Sequence, residues 1–205
     1  MSWASLQDRY PWPDESPKLK PYRHGPRVHE SEWYEILSDL VNPVFVEVGA
    51  WTGKTSFWLL DRFLTLRLVA VDLWDAVAYR FVRDMHAQFV TEGRIAATDS
   101  LADLYRANLW EQRERLVVIH DESVNGMHAM ADAALRASVV YIDAAHDYQH
   151  VKTDILTALK CFPDALICGD DYYLDGVIRS VHEVADERGF GVLVSRNRLW
   201  RYVKR

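Results

Sequence analysis

The chain has 205 residues, of which 49% are hydrophobic and 26% charged, a balance typical of a folded globular protein rather than a disordered one. This length suits one well-packed domain and is short for two. The formal net charge of -6 argues against bulk nucleic acid as a partner, because contact with a phosphate backbone needs clustered Lys and Arg.

The sequence predicts a cytoplasmic protein that does not contact membranes. The first 26 residues contain no apolar stretch of the signal-peptide kind, and the longest apolar runs, such as Leu116–Ile119, are too short to span a bilayer. The two cysteines, Cys161 and Cys168, are interpreted as small core residues rather than as a disulfide or a zinc site.

The first 27 residues contain most of the prolines, interleaved with aromatic residues. This composition predicts an extended lead-in that lies across the surface and is not an independent domain. Residues 28–205 are predicted to form a single domain. Its first element is expected to be a helix over Glu30–Leu40.

From Val44 onward, apolar strands alternate with helical segments. The predicted strands are Val44–Val48, Arg67–Val71, Leu116–His120, Val139–Asp143, Ala165–Cys168, Gly191–Ser195 and Leu199–Val203. Helices are predicted over about 54–63, over much of 76–111 with breaks near Gly93 and Asp99, after Asp147 and after the fifth strand. Mostly apolar strands separated by helices indicate a parallel sheet covered on both faces, and the last two strands form a hairpin. The expected fold is therefore α/β, a Rossmann-like, doubly wound, mostly parallel seven-stranded sheet with a C-terminal antiparallel hairpin.

The turn after the first strand is a candidate ligand loop. Gly49 and Gly53 allow a tight turn close to a ligand, and the helix that follows directs its free N–H groups to the same place. Lys54 and Thr55 also suggest a phosphate-binding loop, but only three residues separate the glycines, where that loop needs four. A nucleotide hydrolase using Lys54, Thr55 and Asp143 is kept as a less favoured alternative.

Acidic residues at the strand ends favour a nucleoside cofactor instead. Glu47 precedes Gly49 by two positions, where it would repel a polyphosphate but suit the cationic amino acid end of S-adenosylmethionine (SAM). Asp72 ends the second strand, where a doubly wound sheet places an acid against ribose hydroxyls. Residues 121–123, after the third strand, are expected to lie over adenine, with Trp74 stacking nearby.

Three further carboxylates follow the fourth and fifth strands. Asp143, Asp170 and Asp171 can converge at the carboxyl edge of the sheet, where oxygen ligands suit Mg²⁺ or a similar divalent cation. The alternative is that Asp170 or Asp171 only caps the next helix. A bound cation would stabilise negative charge developing on a substrate hydroxyl, and His146 is placed to accept the proton.

Four motifs together resemble the class I SAM-dependent methyltransferases, in particular the small bacterial macrocin O-methyltransferase-like group. They are Glu47–Gly53, Val71–Trp74, Tyr141–Tyr148 and Gly169–Tyr172. A closing antiparallel hairpin is usual in that class. The resemblance implies a SAM site formed by Glu47, Gly49, Ala50, Thr52, Gly53, Asp72, Leu73, Trp74, Asp121, Glu122, Ser123 and Asp143. It also implies metal binding by Asp143, Asp170 and Asp171, with Asp143 and His146 as the catalytic residues.

The expected activity is metal-assisted O-methylation of a hydroxyl on a small molecule such as a sugar, a phenol or a secondary metabolite. The stretches 3–34 and 74–110 are candidate walls for this acceptor. A homodimer is an expectation from the resemblance alone. A SAM-fold binding module without transfer activity is the alternative from another functional class.

Overall fold

The computed structural model of the chain describes residues 3–23, 29–74 and 80–204. Its strands are β1 (Val44–Val48), β2 (Arg67–Asp72), β3 (Leu116–His120), β4 (Val139–Ile142), β5 (Leu166–Gly169), β6 (Phe190–Val194) and β7 (Trp200–Lys204). Its helices are α1 (Trp3–Arg9), α2 (Glu30–Leu37), α3 (Lys54–Arg62), α4 (Arg80–Thr91), α5 (Leu101–Asn108), a 3₁₀ helix (Trp110–Arg115), α6 (Ser123–Asp132), α7 (Tyr148–Cys161) and α8 (Asp175–Arg188).

One seven-stranded sheet has the order β3-β2-β1-β4-β5-β7-β6. Strands β1 to β5 are parallel, whereas β7 runs antiparallel to both β5 and β6. The chain builds outward from β1 in one direction and then from β4 in the other. The strand order therefore reverses between β1 and β4, where ligands bind in open α/β sheets. The predicted fold is confirmed.

The parallel strands are buried on both faces, which explains their nearly continuous apolar sequences. One face packs against α6, α7 and α8, through residues such as Val46, Val151 and Val181. The opposite face packs against α2, α3 and α5, through residues such as Trp33 and Leu59. Two helical layers thus cover the two faces of the sheet, and the candidate site lies at its carboxyl edge.

The lead-in contains a helix, α1, where an extended chain was predicted. Its seven residues precede the first proline, Pro11, and its Leu6 is fully buried in the core. Beyond α1 the chain does lie across the domain: Trp12 Nε1 donates a hydrogen bond to the carbonyl oxygen of Leu116 at 2.9 Å. The lead-in is therefore helical at its start, and Trp12 beyond α1 contacts the domain.

Two other details differ from the prediction. Helix α2 ends at Leu37 rather than Leu40. Helix α6 was not predicted, because Gly126 interrupts its apolar pattern; a Cβ on this glycine would lie 2.2 Å from Val71 Cγ2, so close packing on β2 requires Gly. The predicted breaks near Gly93 and Asp99 are present, because α4 ends at Thr91 and α5 begins at Leu101; residues 76–79 of this helical segment lie outside the described ranges. Within the described ranges, no helix is long and apolar enough to cross a bilayer.

Candidate active site

A cavity of about 810 Å³ opens at the carboxyl edge of the sheet, beside the reversal between β1 and β4. The predicted site residues that line it are Gly49, Asp72, Leu73, Trp74, Glu122, Ser123, Asp143, His146, Asp170 and Asp171. Those that do not line it are Glu47, Ala50, Thr52, Gly53 and Asp121. Lys54 and Thr55 do not line it either, so the structure does not join them to Asp143 as the nucleotide hydrolase alternative requires.

The turn after β1 approaches the loop after β4 at very short range. Gly49 has a φ of +87°, and a Cβ at this position would lie 2.2 Å from the carbonyl oxygen of Asp143. Gly53 has a φ of +78°, but a Cβ there would meet Leu109 at 2.4 Å, on the side of α5. Gly49 therefore shapes the cavity, whereas Gly53 serves the packing beneath the turn.

Asp72 holds the rim of the cavity through its carboxylate. One oxygen accepts the backbone N–H of Trp51 and the other accepts that of Trp74, both at 2.8 Å. Both tryptophans have positive φ, 48° and 42°, and Trp74 Nε1 donates to the carbonyl oxygen of Trp51 at 2.6 Å. Burial raises the pKa of Asp72, and these backbone donors oppose the shift. Trp51 lines the cavity but was not among the predicted site residues, although it lies within the Glu47–Gly53 motif.

Glu47 lies beneath the turn rather than at the cavity. Its side chain is buried and accepts a hydrogen bond from Ser56 Oγ, which lies 2.8 Å from the hydroxyl of Tyr105. Burial raises the pKa of Glu47 to about 8. Thr52 is also buried, and its carbonyl oxygen accepts the Asn108 Nδ2 amide at 2.8 Å. Glu47 and Thr52 stabilise the loop from below.

The residues that follow β3 line two different cavities. Glu122 and Ser123 line the cavity, whereas Asp121 lines a separate, smaller one and accepts the N–H of Glu122 at 2.7 Å. Ser123 Oγ donates to Asp154 Oδ1 at 2.5 Å. Asp154 lines the cavity wall on α7, and burial raises its pKa to about 6. The sequence signal for Asp154 was an acid three positions after Val151, on the buried stripe of that helix.

Two acids and a histidine in the cavity lining lie close together. Asp143, His146 and Asp171 each offer one ligand atom, and these atoms lie within 4.8 Å of one another. His146 Nε2 lies 3.1 Å from Asp171 Oδ2, and the Tyr141 hydroxyl donates to Asp143 Oδ2 at 3.2 Å. Burial, together with the neighbouring Asp170 and Asp171 charges, raises the pKa of Asp143 well above its usual range.

Asp170 lies beside this group and is held by protein contacts. Its Oδ1 accepts the N–H of Asp171 at 2.7 Å, and its Oδ2 lies 2.9 Å from His29 Nε2 and 3.4 Å from the Tyr141 hydroxyl. The three groups within metal-binding range therefore combine two of the predicted carboxylates with the predicted base, and Asp170 is adjacent to them. Neither Asp170 nor Asp171 caps α8, which follows Leu174 and has no side-chain cap.

The sheet order, the closing hairpin and the helices on both faces define the Rossmann-like methyltransferase fold. A family profile described as a methyltransferase domain matches residues 46–172 of the chain. The match spans more than half of the chain and includes the end of β1, the glycine turn and all three acids after β4 and β5. The chain therefore belongs to this methyltransferase-domain family.

Solved structures share the fold at low sequence identity. A candidate caffeoyl-CoA O-methyltransferase from Staphylococcus aureus has a TM-score of 0.59 and 10% identity, over 89% of this chain and 86% of that one. Cofactor-bound Rv0187 from MTB has a TM-score of 0.57 and 15% identity, over 97% and 84%. Precorrin-6y C5,15-methyltransferase from Geobacter metallireducens has a TM-score of 0.54 and 13% identity, over 92% and 95%. No curated protein sequence matches the chain.

Proposed function

We propose that this protein transfers the methyl group of SAM to a hydroxyl of a small molecule, assisted by a divalent cation. The observation that carries the proposal is that Asp143, His146 and Asp171 lie close together in the lining of a large cavity, at the switch point of a methyltransferase fold. Such a cavity has room for the cofactor and a small acceptor together.

SAM supplies a methyl group on a positively charged sulfur. We propose that the cofactor lies along the cavity from the Gly49 turn, past Asp72, to Glu122 and Ser123. Each Asp72 oxygen already accepts a backbone N–H, yet a carboxylate oxygen has a second lone pair that a ribose hydroxyl can use. The acidic side chains that line the cavity suit a cofactor that carries net positive charge near its reactive centre.

The donor set fits a divalent cation, because closely spaced carboxylates and an imidazole suit Mg²⁺, Mn²⁺ or a related ion. Asp143 and Asp171 would hold the ion, with Asp170 beside them. The raised pKa of Asp143 supports this, since negative charges crowded away from water lack compensation in the protein alone. When bound, a cation stabilises negative charge that develops on a hydroxyl oxygen.

His146 is proposed as the proton acceptor. Its side chain is 43% exposed and lines the cavity, and Asp171 lies 3.1 Å from Nε2 and can orient the ring. An imidazole that binds a cation through Nε2 cannot use that nitrogen as a base. The roles of cation ligand and of proton acceptor therefore predict different effects of replacing His146.

The test is a transfer assay with labelled SAM against a panel of sugars, phenols and other hydroxylated acceptors. Asp143→Asn should abolish transfer while the fold is kept. His146→Gln should lower the rate at least tenfold, as loss of a general base does, with SAM and Mn²⁺ affinities unchanged.

A loss of Mn²⁺ affinity in His146→Gln would instead make His146 a ligand. Turnover unchanged by His146→Gln across the pH range would exclude it as the base. SAM binding without transfer to any acceptor would favour the binding-module alternative. Methyl transfer to carbon or nitrogen, rather than oxygen, would contradict the assigned acceptor class.

A further inference from the structure

A buried histidine from outside the matched family region reaches the acidic site. His29 lies directly before α2, and its side chain is only 6% exposed. Its Nε2 lies 2.9 Å from Asp170 Oδ2. This contact is within ion-pair distance but is not aligned as a hydrogen bond, and neither ring nitrogen has a hydrogen-bond partner among the described residues.

Helix α2 holds this imidazole in place through contacts of its own. Trp33 is fully buried, and its ring packs edge-on against that of Tyr141, with the centroids 4.9 Å apart. Glu32 accepts a hydrogen bond from Asn197 Nδ2 at 3.0 Å. Glu35 pairs with Arg201. These contacts fix α2 on the sheet and on the β6–β7 hairpin independently of His29.

Asp170 connects the imidazole to the proposed cation ligands. Its carboxylate accepts the backbone N–H of Asp171, and the Tyr141 hydroxyl bridges it to Asp143. A nitrogen 2.9 Å from a carboxylate oxygen is favourable only when it carries a proton, because two lone pairs at that distance repel. A donor at this position also lowers the cost of keeping a third negative charge in the cluster.

We propose that His29 is a positioning residue of the acidic site: its Nε2, 2.9 Å from Asp170 Oδ2, presents a proton to that carboxylate and so holds Asp143 and Asp171 in the arrangement that binds a divalent cation. This inference rests on the cation site of the proposed function. It assigns to the segment before residue 46 a direct role in a site that otherwise lies within the matched family region. The methyltransferase domain alone would then be an incomplete cation site.

The experiment is a titration of the full chain with Mn²⁺, with free Mn²⁺ followed by electron paramagnetic resonance in the absence of SAM and acceptor. His29→Phe keeps the ring size and removes the donor, so Mn²⁺ should bind about 10- to 100-fold more weakly, the usual effect of losing a partner of a metal ligand. His29→Gln can place an N–H near the same point and should recover most of the affinity. Glu35→Gln weakens an α2 contact far from the acids and serves as the matched control, with no change expected.

A second pair of variants keeps the proposal open to refutation if His29→Phe is unstable. Asp170→Asn should weaken Mn²⁺ binding, and adding His29→Gln to it should cost nothing further, because both act through one contact. Wild-type affinity in His29→Phe, or full additivity in the double variant, would overturn the inference alone. Equal losses in His29→Phe, His29→Gln and Glu35→Gln would show that only the docking of α2 matters, which also overturns it. No Mn²⁺ binding by the wild type would overturn the cation site and this inference together.

Discussion

Glu47 and Asp72 come from adjacent strands near the same turn, but their carboxyl groups have different surroundings. Asp72 accepts two backbone N–H groups at the cavity rim. Glu47 has a single strong side-chain donor, Ser56, and is buried away from the cavity. Its pKa of about 8 means that it is mostly protonated in the fold at neutral pH. Glu47 therefore acts as a neutral hydrogen-bonding group beneath the turn after β1.

This state of Glu47 predicts a specific pH dependence of stability. Its folded pKa of about 8 lies above the ordinary value of 4.5, so its favourable contribution is complete below pH 4.5 and is lost as the pH rises to 8. The loss approaches about 1.4 kcal/mol for each pH unit within that window. Glu47→Gln should remove this slope, so the variant should gain stability relative to wild type between pH 5.5 and 8. Urea unfolding at both pH values measures it, and parallel pH profiles for the two proteins would contradict it.

Gly49 and Gly93 provide a matched pair for the close approach at the first turn. Both have positive φ, but a Cβ on Gly93 meets no atom within 4 Å, whereas one on Gly49 would overlap the backbone of Asp143. Gly93→Ala should cost about 1–2 kcal/mol for the left-handed backbone alone. Gly49→Ala should cost about 1–3 kcal/mol more through overpacking, and should weaken SAM binding as well. Equal effects of the two substitutions on unfolding and on SAM titration would refute the role given to Gly49.

At the scale of elements, one side chain connects the N-terminal segment to the turn after β1. Asn108, the last residue of α5, is buried; its Oδ1 accepts the N–H of Tyr22, and its Nδ2 donates to the carbonyl oxygens of Tyr22 and Thr52. The N-terminal segment and the turn after β1 are thus fastened to the same amide group. A change in one of them is expected to reach the other through Asn108.

Asn108→Ala should destabilise the protein by about 2 kcal/mol or more, because it leaves buried backbone groups without partners. Asn125→Ala is the control, since exposed Asn125 makes a single bond to Asp121 at 3.0 Å. Cleavage by a protease within residues 10–23 should also become faster in Asn108→Ala and stay unchanged in Asn125→Ala. Equal stability and equal cleavage of the two variants would contradict the fastening role.

The strands could be predicted from the sequence because parallel, doubly covered strands are apolar throughout, and no observed strand end differs from the predicted one by more than one residue. Helices α1 and α6 were not predictable in the same way. Leu6 of α1 is buried only because the distant core receives it, and α6 contains Gly126 at the point where it contacts Val71. In both cases tertiary packing decides the structure against a weak local pattern.

The site residues that lie at the carboxyl ends of strands could be predicted from the sequence. The positions of Asp72, Asp143 and Asp171 follow from that rule, and all three line the cavity. The direction of a side chain does not follow from it: Glu47 belongs to a buried strand and points to the layer of α3 and α5. His29 carried no signal, because an isolated histidine directly before a predicted helix matches no pattern, and only the docking of α2 brings it to Asp170.

At the scale of the whole molecule, the sheet reverses its strand order where the cavity opens, and residues of α6 and α7 line the cavity. The same fold carries an O-methyltransferase name in one relative and a C5,15-methyltransferase name in another. The fold therefore does not decide the acceptor, which must be decided by the residues that line the cavity.

Cofactor binding is the central claim, and calorimetric titration of SAM into the purified protein tests it most directly, with ATP titrated in parallel. The cavity and the failed phosphate-loop spacing predict micromolar SAM binding and no heat from ATP, with or without Mg²⁺. Magnesium-dependent ATP binding without SAM binding would contradict the account and would favour the hydrolase alternative based on Lys54 and Thr55.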